Sequence, residues 1–182
     1  MRCSNMTRAW QRITSVTATA ATLTITTVWA CPEGHADNSR FNNSVVANVF
    51  TVQKQAGCQQ GVKSNPKLRL AAQWHAQDVL NNRALDADFG SDGTTVAQRV
   101  QNAGYRGAVA ETVAINPALA MSGIELINNW YYRPDYYGVM SDCANVDIGV
   151  WSENSLDRTV VVAVYGKVKP EPDDQTGKPI AG

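Results

Sequence analysis

Apolar residues recur at Val45, Val49, Val52 and Ala56, in steps of four, three and four, and predict a helix over 42–56 with one buried stripe. Gly57 and the Gln59-Gln60-Gly61 run end it. A second helix opens at Asn65-Pro66, where a capping side chain precedes a proline whose fixed φ suits the first helical position. Its inward face is Leu68, Ala71, Ala72, His75, Val79 and Leu80. A polar, glycine-rich loop follows, "ALDADFGSDG". A shorter helix is expected over 94–103, with Val96 and Val100 on one side and Gly104 as the stop. Asn116-Pro117 repeats the cap-and-proline signal and predicts a fourth helix through Trp130, with Ala120, Ile124, Ile127 and Tyr131 at helical spacing. Beyond it the period changes. Val146, Ile148 and Val150 alternate, "SENSLDR" turns, and "TVVVAVYGKV" is β-branched enough for a central strand. "AVAETVAI" is a further strand candidate. The expected picture is helices flanking a small, mainly antiparallel sheet, an α+β domain over 37–168.

The two ends depart from this pattern. Arg2, Arg8 and Arg12 precede an uncharged stretch, "ITSVTATAATLTITTVWA", and polarity returns at "CPEGHADNSR". A basic start, an apolar middle and small residues at the cut describe a secretory signal peptide over 1–36, cleaved after Ala36. A lipoprotein alternative would cut before Cys31, but Trp29 is bulky beside that bond. The stretch is too rich in threonine to be a good membrane-spanning helix. At the other end 169–182 carry proline and charge without apolar period, the composition of a disordered tail.

Processing after Ala36 changes the balance. The full chain has 16 basic and 16 acidic residues; losing three arginines and one glutamate leaves 13 and 15, a net charge of −2. Neither count suggests a nucleic-acid surface or a basic membrane patch. Of four cysteines only Cys58 and Cys143 remain, and in an exported protein they most simply form one disulfide. Of two histidines only His75 remains. A lone histidine on the inward side of a helix is usually packed and hydrogen-bonded. A two-histidine metal site is excluded within one chain, and no Ser-His-Asp or Cys-His arrangement has both a plausible histidine and an ordered partner. Carboxylates are the other candidates: Asp88 and Asp92 stand four apart in the loop, and Glu111 could join them as acid, base or hard-cation ligand. Asp and Gly are also what a turn needs for backbone reasons. "NNWYYRPDYYG" packs five aromatics into eleven residues, either an apolar-ligand wall or a helix end pinned into the core with Pro134 as its stop.

These segments, in this order, resemble the CAP superfamily of cysteine-rich secretory, antigen-five and pathogenesis-related proteins, and most of all its short, secreted bacterial members. The resemblance runs from about Asn42 to Val168. "LRLAAQWHAQDVL" looks like the family's second helix, and "DFGSDGTTVAQRVQNAGY" like its His-x-Gly-Ser-Asp-Gly loop, arginine-bearing helix and Ala-Gly-Tyr. "VAETVA" looks like Ala-Glu-Asn-[Ile/Leu]-Ala, "WYYRPDY" like Trp-x-x-Ser-Pro-x-His, and "DIGVW" and "VVVAVYGKV" like the closing strands. The resemblance implies a three-layer α-β-α sandwich with a cleft. In many members that cleft holds two histidines and two glutamates that bind a divalent metal, and some members bind sterols or other lipids. Carried over, Asp88 stands at the first histidine, Tyr136 at the second, Arg133 at the serine and Thr112 at the asparagine; Glu111 survives. An oxygen-only set suits zinc poorly, so neither a metal nor another cofactor is expected. The leading expectation is an exported, secreted or envelope-associated binding module, non-catalytic, with a small lipidic ligand in a cleft walled by Asp88, Glu111 and Tyr136. The alternatives are a degenerate hydrolase using Glu111 with Asp88, and a purely structural envelope or host-facing protein.

Overall fold

The computed structural model describes residues 38–85, 89–117 and 121–168. The expected signal peptide and the expected tail lie outside these residues, as does Asp88. Helix α1 (Ser39–Gln55) buries Val45, Val49 and Val52 of the stripe predicted from the spacing, whereas Ala56 is its exposed C-cap. A two-residue strand, β1 (Lys63–Ser64), leads into α2 (Pro66–Asn81). There Asn65 accepts a hydrogen bond from the Lys67 N–H and Pro66 takes the first helical position. Next come α3 (Val96–Asn102) and β2 (Gly107–Asn116), then α4 (Gly123–Tyr131) and α5 (Pro134–Ser141). The chain closes with the hairpin of β3 (Asp147–Asn154) and β4 (Thr159–Val168).

The sheet order is β1-β3-β4-β2, with β1 parallel to β3 and the other pairs antiparallel. Central β4 keeps Val160 to Tyr165 buried without a break, because helices cover both of its faces. On one face Val160, Val162 and Val164 pack with Leu68, Ala71, Ala72, Ala76 and Val79 of α2 and Val100 of α3. On the other, Val161, Ala163 and Tyr165 pack with α1, with Leu126, Ile127 and Trp130 of α4, and with Met140 of α5. The fold is an α-β-α sandwich around a mixed, mainly antiparallel sheet.

Two sequence expectations are corrected. Asn116-Pro117 does not open a helix: Asn116 is the last residue of β2, paired with Thr159, and the ladder outweighs the cap signal. Helix α4 starts later, where the Ser122 hydroxyl accepts from the Glu125 N–H. Ala120 is outside the described residues. Pro134 is not a stop but the first residue of α5; the residue before a proline prefers extended backbone, and Arg133 at φ −99°, ψ 113° supplies the break between the helices.

The layers meet closely at Gly149 of β3. A Cβ built there would collide with the Leu68 carbonyl carbon and the Arg69 backbone nitrogen, so the first turn of α2 lies directly on the strand. Backbone cannot swing aside as a side-chain tip can. Gly149→Ala is therefore expected to destabilise by about 1–3 kcal/mol or more. Gly138, inside α5 with open space around it, is the contrasting case, where alanine should stabilise by about 0.5–1 kcal/mol. Urea denaturation of the two variants checks the sign of each; equal effects would mean that α2 does not seat on Gly149.

Candidate functional site

Alternation along β2 decides where its polar side chains go. Val113 belongs to the α2/α3 core, whereas the Thr112 hydroxyl lies 3.2 Å from that of Tyr165, in the opposite core. Glu111 shares the parity of Val113 and points under α2 and α3. Its carboxylate, 8% exposed, meets Arg99 of α3: Nη2 donates to Oε1 at 3.0 Å and to Oε2 at 3.3 Å. His75, fully buried as the periodicity of α2 predicted, brings Nε2 to 3.5 Å from Oε1.

Arg99 is itself held in place. A capping box starts α3, with the Thr95 hydroxyl and the Gln98 side chain satisfying each other's backbone donors. From the first turn Arg99 Nη1 donates back to the Thr94 carbonyl at 2.7 Å. The glycine-rich loop arrives here through Asp78 of α2, whose carboxylate accepts from the Ser91 N–H and hydroxyl, both at 2.7 Å, and from Asn82 Nδ2 at 2.7 Å. Burial pushes the Asp78 carboxyl up, but those hydrogen bonds together outweigh it and hold it below the usual range. Asp92 makes the turn, accepting from the Thr94 N–H at 2.9 Å. A polar cleft of about 250 Å³ opens between Trp74, Asp78, Ser91, Asp92, Asn102 and Arg99.

Tyr136 lies elsewhere. On α5 it packs into the α1/α4 core, edge-on to Trp130 at 6.2 Å between ring centroids and with the Arg133 guanidinium 3.7 Å above its ring. Tyr136 thus packs on the α1/α4 side of the sheet, whereas Glu111 meets α2 and α3 on the other. Arg99 is the residue that sequence reasoning passed over. The signal was available: a glutamate at the inward parity of an apolar strand needs a cation or donor beside it.

Three solved structures share the architecture. An outer surface protein from Borrelia burgdorferi superposes with a TM-score of 0.64 at 17% identity, over 75% of this chain and 98% of that one. An extracellular protein containing an SCP domain from Bacillus anthracis gives 0.59 at 12% identity, over 76% of this chain and 45% of that one. NaASP2 with Zn²⁺ gives 0.52 at 12% identity, over 77% of this chain and 85% of that one. The chain has the CAP fold. No protein-family profile and no curated protein matches the sequence, so the likeness is one of fold.

The zinc present with NaASP2 raises the question whether this CAP fold offers a metal site at Glu111. Among the described residues the donors do not fit one. Both carboxylate oxygens already face the Arg99 guanidinium, a cation where a second cation would have to bind. Among the described residues no three His, Cys, Asp or Glu side chains converge.

Proposed function

We propose that this CAP domain is an exported binding module, non-catalytic at Glu111, which takes a small lipidic ligand in the groove between α1 and α4. The observation that carries the reading is the apolar surface α4 leaves uncovered: Ile124 is 75% and Tyr132 76% exposed. With Tyr131, Ile127 and Val52 they line a groove of about 380 Å³, rimmed by Asn48, Asn128 and Gln55. Single exposed apolar residues are ordinary, but several converging on one concavity with a polar rim mark a ligand site. The ligand class is the one expected from the sequence; its place moves from the Glu111 cleft to this groove.

Three features support export: the leader-like composition of 1–36, the Cys58–Cys143 disulfide, and structural neighbours described as outer-surface or extracellular. No described helix is long and apolar enough to cross a membrane. The non-catalytic reading rests on Glu111, whose carboxylate is buried against the Arg99 guanidinium and so is poorly placed to reach a substrate proton.

A ligand that binds only the folded state raises the melting temperature by mass action. Sterols and a total lipid extract should therefore stabilise the protein, and Ile124→Ser/Tyr132→Ser should abolish the shift while folding normally. An unmoved melting temperature at saturating lipid would remove the ligand from the proposal.

A further inference from the structure

The α2/α3 face of the sheet ends in a second buried guanidinium. Arg158 sits one step before β4, at the same parity as Val160, Val162 and Val164, and is only 5% exposed. Five residues of β2, Glu111 to Ile115, pair with Val164 to Val160, so Arg158 lies roughly 20 Å along the strand from Glu111. The two buried arginines are treated differently. Arg99 has a carboxylate and a carbonyl. Arg158 has no side-chain hydrogen bond and no ion pair to any described residue, and its Nε, like that of Arg99, is enclosed without a partner.

The nearest carboxylate in sequence is taken. Asp157 receives Arg83 Nη2 on both oxygens at 2.9 Å, and its Oδ1 also accepts the Ser155 hydroxyl at 2.9 Å. Arginine stays ionised in proteins, so Arg158 cannot escape its burial by losing a proton. A buried, uncompensated cation is among the most costly arrangements a fold can hold, and it is relieved by an anion.

There is room for one. An open surface depression of about 380 Å³ is lined by Arg158, Arg83, Asp157, Leu85, Ile115 and Pro117. Its charged side comes from the hairpin and the turn after α2, and its apolar side from Leu85, Ile115 and Pro117. Asp157 is compensated by Arg83, so among the described residues the net charge facing this depression is positive. That volume falls within the range of small-molecule sites.

We propose that this depression is a binding site for an organic anion, a carboxylate or phosphate monoester whose charged group pairs with Arg158 and whose apolar group lies on Leu85, Ile115 and Pro117. Guanidinium recognises both oxyanions through the same planar pair of donors. The site goes beyond the α1–α4 groove: it uses different elements on the other side of the sheet, and either can fail without the other.

The test is calorimetric titration of the purified full chain at low salt with three probes: octyl phosphate, inorganic phosphate and octanol. Octyl phosphate should bind at least about tenfold tighter than either of the others, and Arg158→Met should weaken it by about ten- to hundredfold, the value of a lost charge-assisted hydrogen bond. Inorganic phosphate binding as tightly as octyl phosphate would overturn the apolar half of the site. Octanol binding as tightly as octyl phosphate would overturn the ionic half. No binding by octyl phosphate would overturn the whole proposal. Stability supplies a separate readout: because Arg158 has no partner among the described residues to lose, Arg158→Met should be at least as stable as the parent in urea. A marked loss would show that the guanidinium is held by the protein and would also overturn the proposal.

Discussion

Arg99→Met is expected to cost about 3–5 kcal/mol of folding stability, the loss typical of removing one partner from a buried ion pair. The reason lies in what the substitution leaves behind rather than in the contact removed. Glu111 would remain on the inward face of β2, 8% exposed and lacking the guanidinium that now faces both its oxygens. Glu111→Leu is the converse, leaving a buried guanidinium that keeps the Thr94 carbonyl but loses its counter-charge. The double variant, Arg99→Met/Glu111→Leu, removes both charges and should recover most of the loss, since a buried pair replaced by apolar residues of similar size is often neutral. Urea unfolding of the four proteins in a double-mutant cycle reads the coupling directly. Singles that each cost under about 1 kcal/mol would mean that the pair is solvated, and the argument that Glu111 is poorly placed to reach a proton would fall with it.

How much of this was legible in the sequence depends on which element is considered. The stripes of α1 and α2, the Asn65-Pro66 start and the unbroken apolar run of β4 were all readable, because each reports burial directly through its period. Strand β1 was not, since two residues carry no period and exist as a strand only through pairing with Asp147 and Ile148. The two prolines misled for opposite reasons. Pro117 follows a strand whose partner lies 43 residues downstream, at Asn116↔Thr159, and a local signal cannot weigh so distant a ladder. Pro134 opens α5 rather than stopping α4, and a proline is compatible with either role.

The site was harder to read, because it depends on which face of a sheet each residue takes. A match by motif placed Glu111 and Tyr136 in one cleft; the strand alternation and the position of α5 put them on opposite sides of the sheet. Motif order is a statement about chain connectivity. Sharing a cleft is a statement about parity and packing, and only Glu111 carried a readable parity, in the Val-x-Glu-x-Val pattern of 109–113. Arg158 gave no signal, since an arginine in a polar hairpin is ordinarily a solvated one.

Reducing Cys58–Cys143 should lower stability by about 2–4 kcal/mol. The bond joins residues 85 apart, and closing so long a loop restricts the unfolded chain strongly; the chain-entropy estimate reaches about 4–5 kcal/mol. The native state supplies the reason to expect less. Gln53, fully buried at the end of α1, already ties the same segments: its Nε2 donates to the Asn145 and Asp142 carbonyls at 2.9 and 3.2 Å, while its Oε1 accepts from the Val62 N–H at 2.8 Å. The cysteines therefore staple a junction that persists when the sulfurs separate, and the reduced protein should fold to the same structure. Thermal melts with and without a thiol reductant, and of Cys58→Ser/Cys143→Ser, should show the midpoint falling by roughly 10 °C with unchanged far-ultraviolet dichroism at 20 °C. Gln53→Ala should be tolerated in the oxidised protein and unfold the reduced one, because either tie can hold the junction but the loss of both leaves Asp142 and Asn145 unattached to α1. A midpoint that moves by less than about 2 °C on reduction would mean that the 85-residue loop is already restricted in the unfolded chain, and the entropic account would have to be abandoned.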